Sequence, residues 1–292
     1  MKFWLHIHNT LPEQGLELAV LAEQLGFEGV VSDDHWFMPA ASATHDPNER
    51  APLPMDYVFP DIFAFGGAVL ARTQTLKFGS CIMVLANRTN VFLVAKAAAT
   101  LARISDDRFV MGVGTGWMRD EYDMAGVSWE SRVPRTVEMM EILRKLWGPG
   151  PVEHHGRFFD FPATYAEPRP SKPVPIYMGS VVPAALRRTG MVADGWMGMT
   201  SRLSELADQI ALINVGREEA GRRDKAFEFM VGLARNDDGT LPSPGDYQRA
   251  AEMGVTQHHV GPIDHALGVL RSSFDDKKRF VEDFARRIMR TA

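Results

Sequence analysis

Several short runs in this sequence hold residues whose types and spacing could do chemistry. Asp33-Asp34-His35 sets two carboxylates beside an imidazole. Asp34 could orient His35 or tune it for proton transfer near neutral pH, or the run could simply begin a solvated loop. His6 and His8 stand two apart, a spacing at which two imidazoles can share a metal. Such a site draws further ligands from later strands, and the runs Gly112–Gly116, Tyr177–Ser180 and Gly195–Met197 supply none. Asp264 comes late enough but follows a Pro-containing loop. No metal is expected: one histidine lines a pocket and the other packs into the interior. Cys81 lies in an apolar run with no base in view, so it reads as buried filler rather than a nucleophile.

Two glycine-bearing runs suit a phosphate or a flat ligand. Gly112-Val-Gly-Thr-Gly116 has the spacing G-x-G-x-G, which is not the dinucleotide fingerprint. Its glycines let a planar ligand approach the backbone, or they make a tight strand-to-loop turn. Met178-Gly179-Ser180 precedes a helix opening near Pro183. That order makes a phosphate seat without a lysine, though a plain Ser cap explains Ser180 as well.

Composition removes several classes. The net charge is −5, so the concentrated basic face of a nucleic-acid binder is not expected. A single cysteine rules out a disulfide framework and fits a reducing, cytoplasmic setting. Neither a secretory signal nor an apolar run of about 18 residues is visible, so no membrane span is expected.

The elements that must position these residues alternate. Strand-like runs are Lys2–His6, Glu28–Ser32, Leu76–Val84, Arg108–Val113, Pro175–Gly179, Asp194–Met199, Phe227–Leu233 and Val255–Gly261. Helical periodicity follows each, as over Glu17–Gly26, Asp61–Arg72, Val91–Ile104, Thr136–Trp147, Pro183–Val192, Ser204–Gly221, Asp246–Met253 and Asp275–Arg290. Eight such pairs predict an α/β chain, a (β/α)8 TIM barrel forming one domain over residues 1–292. Two long segments, His35–Pro60 and Gly148–Pro173, are insertions after strands 2 and 4 and are expected over the barrel mouth. In such a barrel the chemistry collects at the C-terminal strand ends, where the runs above fall.

Together those strand ends resemble the luciferase-like monooxygenase superfamily. The carriers are Val31–His35, Gly79–Ile82, Ala95–Leu101 with Arg108–Trp117, and Ile176–Gly179 with Ala193–Trp196. Ser32–His35 and Gly112–Gly116 look most like its deazaflavin branch, and FMN is the alternative cofactor. The resemblance implies an oxidoreductase moving a hydride between coenzyme F420 and a small organic molecule, and a homodimer. It implies that His8, Asp34 and His35 face the ring, with Asp34 and His35 catalytic. Ser80, Cys81 and Ile82 would lie behind it across a cis Cys81–Ile82 peptide. Gly114, Thr115, Gly116, Trp117 and the Met178-Gly179-Ser180 turn would take the tail. The family's sugar-phosphate dehydrogenases carry a glutamate directly after Gly-Thr-Gly, where this chain has Trp117. With Trp36, Phe37 and Trp196, that implies an apolar or planar substrate. The rivals are an FMN-dependent monooxygenase and, in another class, a barrel that binds flavin without turnover.

Overall fold

A computed structural model describes residues 1–39 and 56–290. In chain order its strands are β1 (Lys2–Ile7), β2 (Gly29–Ser32), β3 (Lys77–Ser80), β4 (Met83–Val84), β5 (Phe109–Gly114), β6 (Val152–His155), β7 (Asp160–Thr164), β8 (Ile176–Met178), β9 (Gly195–Ser201), β10 (Glu228–Leu233) and β11 (Gln257–Val260). The helices are α1 (Pro12–Leu25), α2 (Ile62–Arg72), α3 (Val91–Ile104), α4 (Arg119–Ala125), α5 (Arg132–Leu146), α6 (Pro183–Val192), α7 (Leu206–Glu219), α8 (Pro244–Glu252), α9 (Ile263–Leu267) and α10 (Phe274–Phe284). Parallel strands pair in the order β3-β2-β1-β11-β10-β9-β8-β5, and a β3–β5 pairing closes the ring. The result is an eight-stranded (β/α)8 barrel.

Strand periodicity explains the interior. Side chains of alternate residues meet on the axis, where a ring of eight strands has little room. Trp4, Val31, Cys81, Val110, Tyr177, Met197 and Met230 fill it as one buried cluster. Glycines make the space for them. A Cβ on Gly29 would stand 2.4 Å from the Trp4 ring, and one on Gly195 would stand 2.6 Å from Tyr177. Outside the barrel, helices bury apolar faces such as Leu18, Ala19 and Ala22 of α1. Helix ends are fixed locally: Asp61 accepts the amides of Phe63 and Ala64, and Gly26 adopts φ +88° to stop α1.

The third barrel strand departs from its predicted continuous run. It breaks after Ser80 and resumes as β4, with a cis Cys81–Ile82 peptide between, as the resemblance implied. The segment after β5 also differs from expectation. It forms the short helix α4, which the polar run 119–125 did not suggest, and then a β6–β7 hairpin. The hairpin is fastened to the helices. Glu138 on α5 accepts the amides of Arg157, Phe158 and Phe159 and bonds His154, while Phe161 packs on Phe92 at 4.8 Å. Among the described residues, none of its hydrogen bonds or ring contacts reaches His35. The insertion after strand 2 is described only at its two ends, and residues 40–55 lie outside the described residues.

Candidate active site at the strand ends

Asp33, Asp34 and His35 leave β2 together, yet each takes a different partner. Asp33 meets His6 of β1, with Oδ1 to Nε2 at 2.5 Å, and the Tyr57 hydroxyl donates to its Oδ2 at 3.5 Å. Burial pushes the Asp33 carboxyl up, but the charge and hydrogen bond of His6 outweigh it, and the net direction is down. Asp34 is buried and accepts from Arg88 Nη2 at 2.5 Å. Its burial raises the carboxyl more than Arg88 lowers it. The expected Asp34–His35 pair is therefore corrected: Asp34 is occupied by Arg88, whose guanidinium also lies 5.4 Å from the Trp36 ring centre.

His35 pairs instead with Glu121 of α4, Nδ1 to Oε1 at 3.1 Å. The same carboxylate accepts the Trp36 amide at 2.7 Å and Asn87 Nδ2 at 3.2 Å. The His35 ring is bounded edge-on by Phe59 at 4.9 Å and by Trp117 at 5.5 Å, and Tyr57 stacks on Phe59 at 4.6 Å. Glu121, Arg88, Asn87 and Tyr57 were not read from the sequence. Glu121 had one signal, since Gly126 in the left-handed region ends α4 and could have marked a short helix.

His6 and His8 do not divide into a pocket residue and a core residue. Both are buried, His6 in β1 and His8 just past its end, with ring centres 5.6 Å apart. Burial and the neighbouring His6 push His8 down to about 4. Asp264, which follows the Pro-containing loop, stands 3.8 Å from His8 Nε2, and Lys277 of α10 lies beside it. That buried ammonium donates to the Asn9 carbonyl at 2.7 Å, to Thr10 Oγ1 at 2.8 Å and to the His8 carbonyl at 3.3 Å. On the adjacent strand β11, His259 lies with its ring centre 5.7 Å from that of His6, and its Nε2 donates to the Gly198 carbonyl at 2.8 Å.

Around the broken third strand, Ser80 Oγ donates to the Gly112 carbonyl at 2.7 Å. Cys81 is buried against Met199, Sγ to Sδ 3.4 Å, and burial raises its thiol well above the usual range, as suits filler. The glycines of Gly112–Gly116 answer to the protein's own packing. A Cβ on Gly114 would lie 1.8 Å from Ile82 Cδ1, one on Gly112 would lie 1.9 Å from the Ser80 carbonyl oxygen, and Gly116 has φ +71°. Gly112 and Gly114, inside β5, are required by close packing, and only Gly116 takes the left-handed backbone of a turn. Thr115 offers its carbonyl to the Tyr122 hydroxyl at 2.7 Å.

Met178 is buried and Gly179 faces Ile82. Ser180 does not cap α6, because its hydroxyl bonds Thr189 Oγ1 at 2.9 Å. Trp196 is corrected as a pocket wall. It is fully buried among Leu186, Leu206 and Ile213, and its indole N–H donates to the Ser180 carbonyl at 3.0 Å. Phe37 is half-buried and Trp36 is exposed, both close to His35 in sequence.

The profile of the luciferase-like monooxygenase family matches residues 3–235. An uncharacterised protein of Mycobacterium tuberculosis is 32% identical over 278 residues, 94% of each chain. An F420-dependent glucose-6-phosphate dehydrogenase of Nakamurella multipartita is 33% identical over 230 residues, 76% of this chain and 63% of that protein. Among solved structures, an F420-dependent secondary alcohol dehydrogenase in complex with an F420–acetone adduct superposes with TM-score 0.78, covering 100% of this chain and 99% of that one. At 20% identity that is a likeness of fold.

Proposed function

The chain belongs to the luciferase-like monooxygenase family, and from that premise we propose that it is an oxidoreductase moving a hydride between coenzyme F420 and a small apolar or planar organic molecule. The observation that carries the reading is the His35 ring, held by Glu121 at Nδ1 and bounded by Phe59 and Trp117 at the strand ends. The 33% identity to a dehydrogenase named F420-dependent supports the cofactor.

The residues present fit a polar planar group. His6 Nδ1, His8 Nδ1, Asn87 Oδ1 and Arg88 Nε are buried without a hydrogen-bond partner among the described residues. Unpaired buried atoms of this kind are expensive, and a bound ring with carbonyl and N–H groups would satisfy them. Under this reading His8, Asp34 and His35 hold the ring. Ser80, Cys81 and Ile82 back it, while Gly114, Thr115, Gly116, Trp117, Met178, Gly179 and Ser180 line the tail. When bound, the deazaflavin supplies the hydride chemistry. His35 holds or releases the accompanying proton at Nε2, Asp34 keeps Arg88 in place beside it, and the aromatic rings exclude water. Trp36, Phe59 and Trp117 favour an apolar or planar substrate over a sugar phosphate. The reading also takes residues 1–292 as one domain that works as a cytoplasmic homodimer, the latter tested by sedimentation.

Fluorescence titration against F420 and FMN tests the cofactor. Tight F420 and weak FMN binding is the expected result. The reverse makes the protein a flavin monooxygenase, and binding of neither overturns the reading. With F420 bound, His35→Ala should lower turnover without loss of fold; unchanged turnover removes His35 from the mechanism.

A further inference from the structure

We propose that Glu121 is the positioning residue for His35: by accepting the Nδ1 proton it fixes the imidazole tautomer and leaves Nε2 as the nitrogen that exchanges a proton with the bound reactants. The proposal rests on the reading that His35 is the proton-transfer group.

A carboxylate that is 1% exposed is sustained only by donors. Glu121 has three: His35 Nδ1 and the Trp36 amide on Oε1, and Asn87 Nδ2 on Oε2. An ionised carboxylate can only accept, so the shared proton belongs to Nδ1, and a neutral ring is then basic at Nε2. Among the described residues, no other acid hydrogen-bonds the ring. Asp33 is taken by His6 and Asp34 by Arg88. Because the Trp36 amide binds the same oxygen, the backbone beyond His35 is fastened to the same point as its side chain. Glu121 is itself held firmly, since the adjacent Tyr122 donates to the Thr115 carbonyl and packs edge-on against Trp129 at 5.2 Å. The bond therefore ties the loop after β2 to α4, the helix that follows β5, across the strand ends where the reaction is placed.

Imidazole nitrogen shifts of 15N-histidine-labelled protein without cofactor test this directly, with His35 assigned from His35→Asn. In the wild type above the histidine titration, the expected form of His35 is the Nδ1–H tautomer. Glu121→Gln keeps it, because the amide oxygen still accepts both donors and the unpaired Asn87 Oδ1 can turn to receive the new N–H2. Glu121→Met abolishes the preference, giving mixed tautomers or Nε2–H. In turnover with F420, Glu121→Met should lower kcat at least tenfold, with Kd for F420 changed less than twofold, and Glu121→Gln should recover most of it. A wild-type proton on Nε2, or an unchanged tautomer in Glu121→Met, overturns the proposal. If Glu121→Met does not fold, the wild-type and Glu121→Gln spectra decide alone. Failure of F420 to bind would overturn the cofactor reading and leave the tautomer result standing.

Discussion

Replacing His258 with Leu should make the protein more resistant to acid. His258 lies on β11 and points out of the barrel into the helix layer. It stacks on Phe3 at 5.7 Å and meets Tyr247 edge-on at 4.9 Å. It is fully buried, and neither ring nitrogen makes a well-formed hydrogen bond among the described residues, although the Val231 backbone approaches the ring and opposes the effect of burial. Burial therefore pushes it down from 6.5 to about 4. A depressed histidine binds fewer protons folded than unfolded in that window. Stability is then full above 6.5 and is lost as the pH falls toward 4. Linkage with these values gives a penalty of about 2 kcal/mol at pH 5 and only ~0.2 kcal/mol at pH 7. Leucine cannot charge and leaves no unpaired polar atom, so near neutrality the exchange should be neutral or mildly stabilising. Urea unfolding at pH 7 and pH 5 reads both numbers, with equal m-values as the condition for comparison. The variant should lose about 2 kcal/mol less than wild type between the two pH values. Identical pH dependence in the two proteins would refute the reasoning. A loss above about 2 kcal/mol at pH 7 would show that a ring nitrogen is bonded after all.

Three further outcomes follow from buried contacts. Lys277→Met removes the ammonium shared by the His8 and Asn9 carbonyls and Thr10; a loss of about 3–5 kcal/mol is expected in urea unfolding, and under 1 kcal/mol would show that water replaces it. Gly112→Ala drives a Cβ to 1.9 Å from the Ser80 carbonyl, so the variant should be recovered unfolded or at least about 3 kcal/mol weaker, and a wild-type melting temperature would contradict the interior packing. Glu138→Gln weakens the carboxylate that gathers three hairpin amides and His154; it should cost about 1–2 kcal/mol and speed proteolysis within residues 156–160, and an unchanged cleavage rate would mean the hairpin is held elsewhere.

The barrel was legible because alternating strand and helix periods depend on nearest neighbours. Val91–Ile104 and Pro183–Val192 have the bounds the sequence predicts, the second with Pro183 at its start. The third strand was overextended because Leu76–Val84 is largely apolar, and hydrophobicity alone does not register a backbone break. The site was half legible. Strand ends identify which residues gather, so Asp33, Asp34 and His35 were placed correctly at the mouth. Which carboxylate takes which partner is decided by chain segments far apart in sequence: Glu121 meets His35 across 86 positions and Arg88 meets Asp34 across 54. Adjacency suggested an Asp34–His35 pair, and tertiary geometry overrode it. Nor does the glycine run announce its internal neighbours: the Ser80 carbonyl lies against Gly112, Val84 against Gly116 and Ile82 against Gly114.

That last contact has an evolutionary corollary. One side chain, Ile82, occupies the room left by glycines on two other strands: 1.8 Å from where Gly114 would carry a Cβ and 3.0 Å from where Gly179 would. Substitutions at 82, 114 and 179 are therefore expected to be energetically coupled. A drift from Gly to Ala at 114 becomes permissible only in a lineage where residue 82 has already shrunk. A larger residue at 82 is closed off while either glycine's neighbour stays as it is. Homologues sorted by the size of residue 82 should sort by residue 114 as well, and the order in which the changes arose should be the same each time.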